Sequence, residues 1–159
     1  MTEITFISVG TLKEKYLTEA VSEYKKRLSQ YARVDEINIK EERIVDEDNS
    51  HEIDRALDEE ASRILAAVPK GSRLIALCIE GKEYDSVGLS QLIGRHSDEC
   101  GRIAFVIGSS HGLSPKVKSA ADSRVSFSKM TFPHQLMRVI LFEAVYRSFT
   151  ILAGKRYHK

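Results

Sequence analysis

Two spacings of apolar residues alternate along the chain. Continuous or alternating apolar runs, which are typical of strands, cover residues 4–9, 32–40, 73–79, 102–107 and 124–127. Apolar side chains three and four positions apart, which mark one face of a helix, cover residues 14–30, 51–68 and 133–151. Because strands and helices alternate, we predict an α/β fold with a mostly parallel sheet and helices on both of its faces.

Capping and breaking residues give the expected ends of these elements. The helix caps expected from the sequence are Ser50, Ser86 or Ser90, and Ser114 with Pro115 at the first helical position. Gly81 is expected to end the third strand. The acidic and polar residues 41–50 predict a mobile loop.

The length of 159 residues and a hydrophobic fraction of 42% fit a single domain over residues 1–159. The first residues contain no basic segment and no long apolar run, so neither a signal peptide nor a membrane helix is predicted. Cys78 and Cys100 form no CxxC pair, and we expect two small buried thiols in a reducing, cytoplasmic compartment. The five histidines lack HxH or HxxxH spacing, so no metal site is predicted.

The charge balance is uneven along the chain. In total, 24 Lys and Arg stand against 23 Asp and Glu, which gives a net charge of +1. Residues 1–101 have 14 basic and 21 acidic residues, whereas residues 102–159 have 10 basic residues and two acids, Asp122 and Glu143. The two parts therefore carry −7 and +8, and the basic part predicts a polyanionic partner.

Three loops follow the predicted carboxyl ends of strands, where ligands of parallel sheets bind. They come after Cys78, Ile107 and Ser126. The loop at residues 107–115 is either a plain strand–helix turn or a ligand loop in which Gly108 admits another molecule to the main chain. The loop at residues 127–135 is either a buried connection or the lining of a pocket for a flat ring.

Basic and aromatic residues are mixed near the C-terminus. The members of this set are Lys129, Arg138, Arg147, Lys155, Arg156 and Lys159, with His134, Tyr146, Tyr157 and His158. Such a mixture suits phosphate contact with base stacking, and it is equally the composition of a solvated helix face with a frayed tail. The spacing of Arg138 and Arg147 turns one of them toward the core or a partner.

Taken in order, these motifs resemble those of a known family. They are Val9-Gly10-Thr11, Phe105-Val106-Ile107-Gly108, Gly112-Leu113-Ser114-Pro115, Phe132 to Arg138, Tyr146-Arg147 and Tyr157-His158-Lys159. Over its whole length the chain is similar to the small SPOUT-class (α/β-knot) methyltransferases that modify N3 of a pseudouridine in large-subunit ribosomal RNA. One departure is Ser109, where the family usually has a second glycine.

The resemblance implies a fold and a cofactor. The fold is an α/β knot, with a knotted cofactor-binding part at about residues 102–159, whereas general topology rules alone predict an unknotted sheet. The cofactor is S-adenosylmethionine. Its implied contacts are Leu77, Gly108, Phe127, Ser128, Lys129, Met130, Thr131 and Phe132.

The resemblance also implies partners and roles. The protein is expected to be a homodimer that acts on 23S ribosomal RNA, on the assembled ribosome, with Tyr157 and His158 reaching the pocket of the other subunit. The implied catalytic residues are His158, Tyr157 and Arg138, and His134 is a second candidate to accept the N3 proton. The RNA-binding residues are Lys129, Arg147, Lys155, Arg156 and Lys159.

Two other functions remain open at this point. One is a non-catalytic, ribosome-associated RNA-binding protein on the same fold, which would not hold S-adenosylmethionine. The other is a flavodoxin-like domain, which would bind a flavin or a phosphate ligand after Ile107 and would not depend on RNA.

Overall fold

The computed structural model describes residues 1–157, and five strands alternate with five helices among them. The elements in chain order are β1 (Thr2–Val9), α1 (Lys15–Leu28), β2 (Ala32–Ile39), α2 (Ser50–Ala67), β3 (Arg73–Glu83), α3 (Ser86–Cys100), β4 (Arg102–Ile107), α4 (Pro115–Ala120), β5 (Ser123–Ser126) and α5 (His134–Leu152). The α/β fold predicted from the apolar spacing is confirmed.

The strands form one sheet in the order β2-β1-β4-β3-β5. Every pairing in this sheet is parallel. The central strand β4 lies between β1 and β3, while β2 and β5 are the edge strands. The carboxyl ends of β3, β4 and β5 therefore come to the same border of the sheet, as expected. The knot itself stays a prediction.

Side chains that alternate along the strands divide the core into two layers. On one face, Phe6 and Phe105 pack with α1, α3 and α5, and the Phe6 ring stacks on Phe142 with a centroid distance of 3.8 Å. On the other face, Ile7 and Val106 pack with α2 and α4. Because both faces are covered, the central strands can be apolar throughout, which is the pattern seen in the sequence.

Two helix caps differ from the expected ones. Asn49, not Ser50, accepts hydrogen bonds from the first main-chain N–H groups of α2. Asp85, not Ser86 or Ser90, accepts from Gly88 N at 2.6 Å at the start of α3. Asn and Asp cap helices as well as Ser does, so composition alone could not choose between adjacent candidates. The predicted Ser114 cap of α4 is confirmed.

Strand β3 does not end at Gly81, contrary to the prediction. Residues 78–81 leave the ladder, so that Leu77 and Lys82 both pair with Val125 of β5. A Cβ atom on Gly81 would lie 2.8 Å from main-chain atoms of Arg124 and Val125. The glycine is therefore needed because two main chains pass in close contact, and the strand continues beyond it.

The segment between β2 and α2 is anchored, although the sequence predicted a mobile loop. Glu60 is 3% exposed and accepts from Glu42 N at 2.9 Å. Glu52 accepts from Val45 N at 2.6 Å, and Arg63 donates to Lys40 O at 3.0 Å. Side chains of α2 thus hold the loop, and the burial of Glu60 raises the pKa of its carboxyl.

The cysteine prediction is partly wrong. Both thiols are free, but Cys78 is half-buried and Cys100 is exposed. Burial raises the pKa of the Cys78 thiol. No helix within residues 1–157 has the length and apolar character needed to cross a membrane.

Candidate functional site

A cavity of about 690 Å³ opens at the carboxyl border of β3, β4 and β5, and we call it the first cavity. Its lining comes from the three loops expected to carry a ligand. The lining residues are Leu77 to Glu80, Ile107 to Leu113, Lys118, Ser126 to Ser128, Met130 to His134 and Met137. The predicted convergence of these loops is confirmed, and the volume is typical of a site for a small organic ligand or cofactor.

The loop after β4 closes on itself. Gly112 N donates to Ser109 O at 2.9 Å, and a Cβ atom on Gly108 would lie 2.6 Å from the carbonyl carbon of Gly112. Gly108 is therefore required because the loop folds back onto its own main chain. The structure thus gives this glycine a role within the loop, and its contact with a ligand in the first cavity stays a prediction.

Ser109 fits this loop without strain. Positive φ angles among the described residues occur only at glycines, so Ser109 needs no glycine-like conformation. The side chain is buried, and its Oγ accepts from His111 N at 3.3 Å. The serine at this position therefore adds a hydrogen bond that a glycine could not make. The departure from the family pattern leaves the loop intact.

The loop after β5 is fixed by serine hydroxyls. Ser126 Oγ donates to Ser128 O at 3.1 Å, and Ser128 Oγ accepts from Met130 N at 2.9 Å. Phe127 and the other predicted cofactor contacts of this loop line the first cavity, except Lys129, whose side chain is exposed and outside the lining. Met130 is 71% exposed although it lines the cavity, which leaves an apolar side chain at the cavity entrance.

Sequence reasoning missed the charged residues of the first cavity. Lys118 of α4 forms an ion pair with Glu80, and this hydrogen bond lowers the pKa of the Glu80 carboxyl. His111 lies 3.8 Å from Glu47 of the anchored loop. Neither pair has a recognisable spacing, because the partners meet only through the excursion of β3 and the fold of the acidic loop.

Arg138 is buried and does not line the first cavity. Its side chain is 5% exposed. Its Nη2 donates to Val9 O and to Gly10 O, each at 2.8 Å, and its Nη1 donates to Asn38 Oδ1 at 3.3 Å. Burial lowers the pKa of its guanidinium, and its Nε has no partner among the described residues. The side chain joins α5 to the ends of β1 and β2, and a catalytic role for it stays a prediction.

A second cavity of about 640 Å³ lies at the carboxyl ends of β1 and β2. Its lining residues are Gly10, Thr11, Lys13, Asn38, Ile39, Lys40, Glu41, His134 and Gln135. His134 also lines the first cavity, so one imidazole borders both spaces. The sequence pointed to His134 and Gly10 but gave no sign that residues around position 40 would join them.

Tyr157, Arg147, Lys155 and Arg156 do not line either cavity. Tyr157 packs edge-on against Tyr146 at 4.9 Å and donates to Glu143 Oε1 at 3.2 Å, and Arg147 pairs with the same carboxylate at 2.6 Å. Burial and Glu143 raise the pKa of Tyr157 to about 12. Lys155 and Arg156 are exposed. The predictions for His158 and Lys159 fall outside the described residues.

The described part of the chain contains no group of three or more His, Cys, Asp or Glu side chains able to hold a metal ion. The groups at this border of the sheet include main-chain groups, hydroxyls, two amides, the Glu80–Lys118 ion pair, two imidazoles and the charged side chains of the second cavity. These groups can orient a ligand and accept a proton.

Comparison with known proteins gives consistent matches along the chain. A family model described as "Predicted SPOUT methyltransferase" matches residues 2–158. Two relatives are named "Ribosomal RNA large subunit methyltransferase H". The protein from Caldicellulosiruptor bescii is 48% identical over 156 residues, with 98% of this chain and 99% of the relative covered. The protein from Shouchella clausii is 44% identical over 161 residues, with the same coverage.

Solved structures share the fold at low sequence identity. One described as a probable methyltransferase from Bordetella pertussis Tohama I is 15% identical with a TM-score of 0.58, over 93% of this chain and 95% of that chain. Another, described as a "putative methyltransferase" from Legionella pneumophila with bound cofactor SAM (S-adenosylmethionine), is 10% identical with a TM-score of 0.53, over 95% of this chain and 66% of that chain.

Proposed function

The chain belongs to the SPOUT methyltransferase family, and on this premise we propose that it methylates N3 of a pseudouridine in the RNA of the large ribosomal subunit. The reaction class and the cofactor, S-adenosylmethionine, follow from the family. The names of the relatives support ribosomal RNA of the large subunit as the substrate, and N3 of a pseudouridine is the target that the family resemblance implies. A flavodoxin-like function does not agree with these matches.

The residues of the first cavity fit this cofactor, and this is the observation that carries the proposal. Leu77 and Phe127 offer apolar surface for a purine ring, and the surrounding loops offer main-chain N–H and C=O groups. The Glu80–Lys118 pair offers both signs of charge to an amino-acid group. We propose Leu77, Gly108 and residues 127–132 as the cofactor contacts.

When bound, S-adenosylmethionine supplies a methyl group attached to a sulfonium sulfur. The sulfur leaves readily as a neutral thioether, so the transfer does not need a metal. The protein then has to align the acceptor nitrogen and receive its proton. An imide N–H lies between two carbonyl groups, and its deprotonation puts negative charge on their oxygens. His134 borders the first cavity and is placed to receive a proton near the methyl donor. His158 is the other candidate.

The basic C-terminal part supplies the surface that we propose for RNA. Lys129, Lys155 and Arg156 are exposed, and Arg147 forms an ion pair with Glu143. Phosphate contacts of this kind release counterions, so the RNA affinity is expected to fall steeply as salt rises. An RNA affinity that does not change between low and several-fold higher salt would contradict an electrostatic RNA surface.

We propose that the protein works as a homodimer in the cytoplasm, with the knotted part at about residues 102–159. Leu136 and Leu152 of α5 are 40% and 46% exposed, which leaves apolar surface on this helix. Tyr157 does not line the first cavity of its own chain, in agreement with a tail that serves another subunit. Deleting residues 156–159 is expected to abolish methylation while cofactor affinity, measured by calorimetry, stays near that of the wild type.

One assay tests the proposed function. Ribosomes from a strain that lacks the enzyme are incubated with the protein and methyl-labelled S-adenosylmethionine, and the labelled nucleoside is mapped. We expect label at N3 of one pseudouridine in the large-subunit RNA. Label on another nucleoside would refute the target. Binding to ribosomes with neither label nor affinity for S-adenosylmethionine would support the alternative, a non-catalytic RNA-binding protein.

A further inference from the structure

The second cavity adjoins the first cavity and holds a distinct set of polar groups. His134 lies between the two, so a molecule in the second cavity would meet a ligand of the first at this imidazole. The second cavity is lined by two amide side chains, Asn38 and Gln135, and by the charged residues Lys13, Lys40 and Glu41. These residues are the ones to consider for recognition of the acceptor.

Both amides are held so that their NH₂ groups are left as donors. Asn38 Oδ1 accepts from Arg138 Nη1 at 3.3 Å, and Gln135 Oε1 accepts from Lys13 N at 3.2 Å. A guanidinium and a main-chain N–H can only donate, which assigns the amide oxygens to these bonds. The Nδ2 of Asn38 and the Nε2 of Gln135 have no hydrogen-bond partner within residues 1–157.

We propose that the second cavity binds the acceptor base and that the amide groups of Asn38 and Gln135 donate hydrogen bonds to the two carbonyl oxygens flanking its N3. This inference rests on the proposed function and names the groups that recognise its substrate. A pyrimidine-dione imide has one N–H between two acceptors, and two NH₂ donors with one imidazole are complementary to it. Cytosine presents an amino group in place of one carbonyl and does not match.

The same arrangement lowers the barrier of the reaction. The N3 proton passes to His134, the new N–C bond forms as the C–S bond breaks, and the electron pair of the C–S bond stays on sulfur. As the proton leaves, negative charge grows on the two carbonyl oxygens, where the amide donors are already in place, and it falls again as the N–C bond forms. Lys13 and Lys40 add positive charge at the same cavity, while Glu41 opposes it.

The test uses variants that keep the side-chain shape and the hydrogen bonds to Arg138 and to Lys13 N. Asn38→Asp retains an oxygen for Arg138, and Gln135→Glu retains an oxygen for Lys13 N, but each replaces an NH₂ donor with a carboxylate. Methylation of ribosomes lacking the modification is measured against pH, together with cofactor affinity by calorimetry. Asn49→Asp is the matched control, because Asn49 caps α2 away from both cavities and Asp caps equally well.

We expect each variant to lower kcat/KM about 10²-fold at neutral pH, as loss of a donor to a developing oxyanion does. Cofactor affinity should stay within about twofold. Since the donors favour the deprotonated imide, their loss should also move the alkaline rise of activity upward by about one to two pH units. A purely structural role for the amides would lower activity without moving this rise.

Four results separate the possibilities. Wild-type rates in both variants would overturn the inference, as would a raised KM for ribosomes with an unmoved pH profile, since the amides would then contact phosphate or sugar instead of the base. Failure of the wild-type protein to label ribosomes at all would overturn the proposed function itself. Loss of activity in Asn49→Asp would show that the substitution acts through stability and would remove the support.

Discussion

Arg138 offers a direct test of whether a buried cation holds the carboxyl border of the sheet together. Replacing it with Met keeps most of the side-chain length and removes the three hydrogen bonds to Val9, Gly10 and Asn38. A hydrogen bond to a charged group contributes about 1.5–3 kcal/mol, but burial of the guanidinium offsets part of this sum. We therefore expect Arg138→Met to lower the free energy of unfolding by about 2–4 kcal/mol.

The measurement is urea unfolding followed by circular dichroism, with all variants at the same concentration because assembly shifts apparent stability. Arg138→Lys keeps the charge but reaches fewer acceptors, so its loss should be intermediate. The control is Arg95→Met at an exposed site on α3, which should stay within about 0.5 kcal/mol of the wild type. If Arg138→Met lowers the free energy of unfolding by less than about 1 kcal/mol, Arg138 does not hold the carboxyl border of the sheet together.

Three further predictions concern other parts of the fold. Gly108→Ala presses a methyl group against the loop that follows β4, so stability should fall by about 1–3 kcal/mol and calorimetry should show weaker S-adenosylmethionine binding; unchanged affinity would contradict this. Burial raises the pKa of Glu60, so its ionisation opposes folding as pH rises above about 4.5. Glu60→Gln should therefore stabilise the protein at pH 7 but not in acid. The control variant Glu59→Gln should not show this stabilisation. Glu143→Gln should lower the pKa of Tyr157 from about 12 toward 10.0, as measured by ultraviolet titration. The protonated Tyr157 contributes stability below pH 10, and this stability is lost as the pH rises through the folded-state pKa. In the variant this loss should therefore occur at a lower pH than in the wild type.

The strands and helices were predictable because each buries one continuous surface. Apolar runs located β3 and β4, and three- and four-residue spacing located α1, α2 and α5. The position of the first cavity was also predictable, since the carboxyl ends of parallel strands meet at one border. In these cases the residues that form the local pattern are also the residues that the tertiary structure buries.

Other features depend on contacts between distant segments and have no local pattern. Gly81 reads as a strand end, but it is glycine because another main chain passes 2.8 Å from its Cβ position. Arg138 reads as part of a basic surface, but carbonyl groups about 130 positions earlier draw it inward. Asn38 and Gln135 line the second cavity together, and neither segment has a sequence pattern that predicts its contact with the other.

The two edges of the sheet affect how the protein behaves at high concentration. β5 is only four residues long, and β2 carries the exposed charged residues Arg33, Asp35 and Glu36. Short edges and charged side chains hinder the pairing of one sheet with another, which is the usual first step of fibril growth. The edges of the sheet thus protect the chain against aggregation. Two copies that associate through their helices would not have to compete with pairing between edge strands.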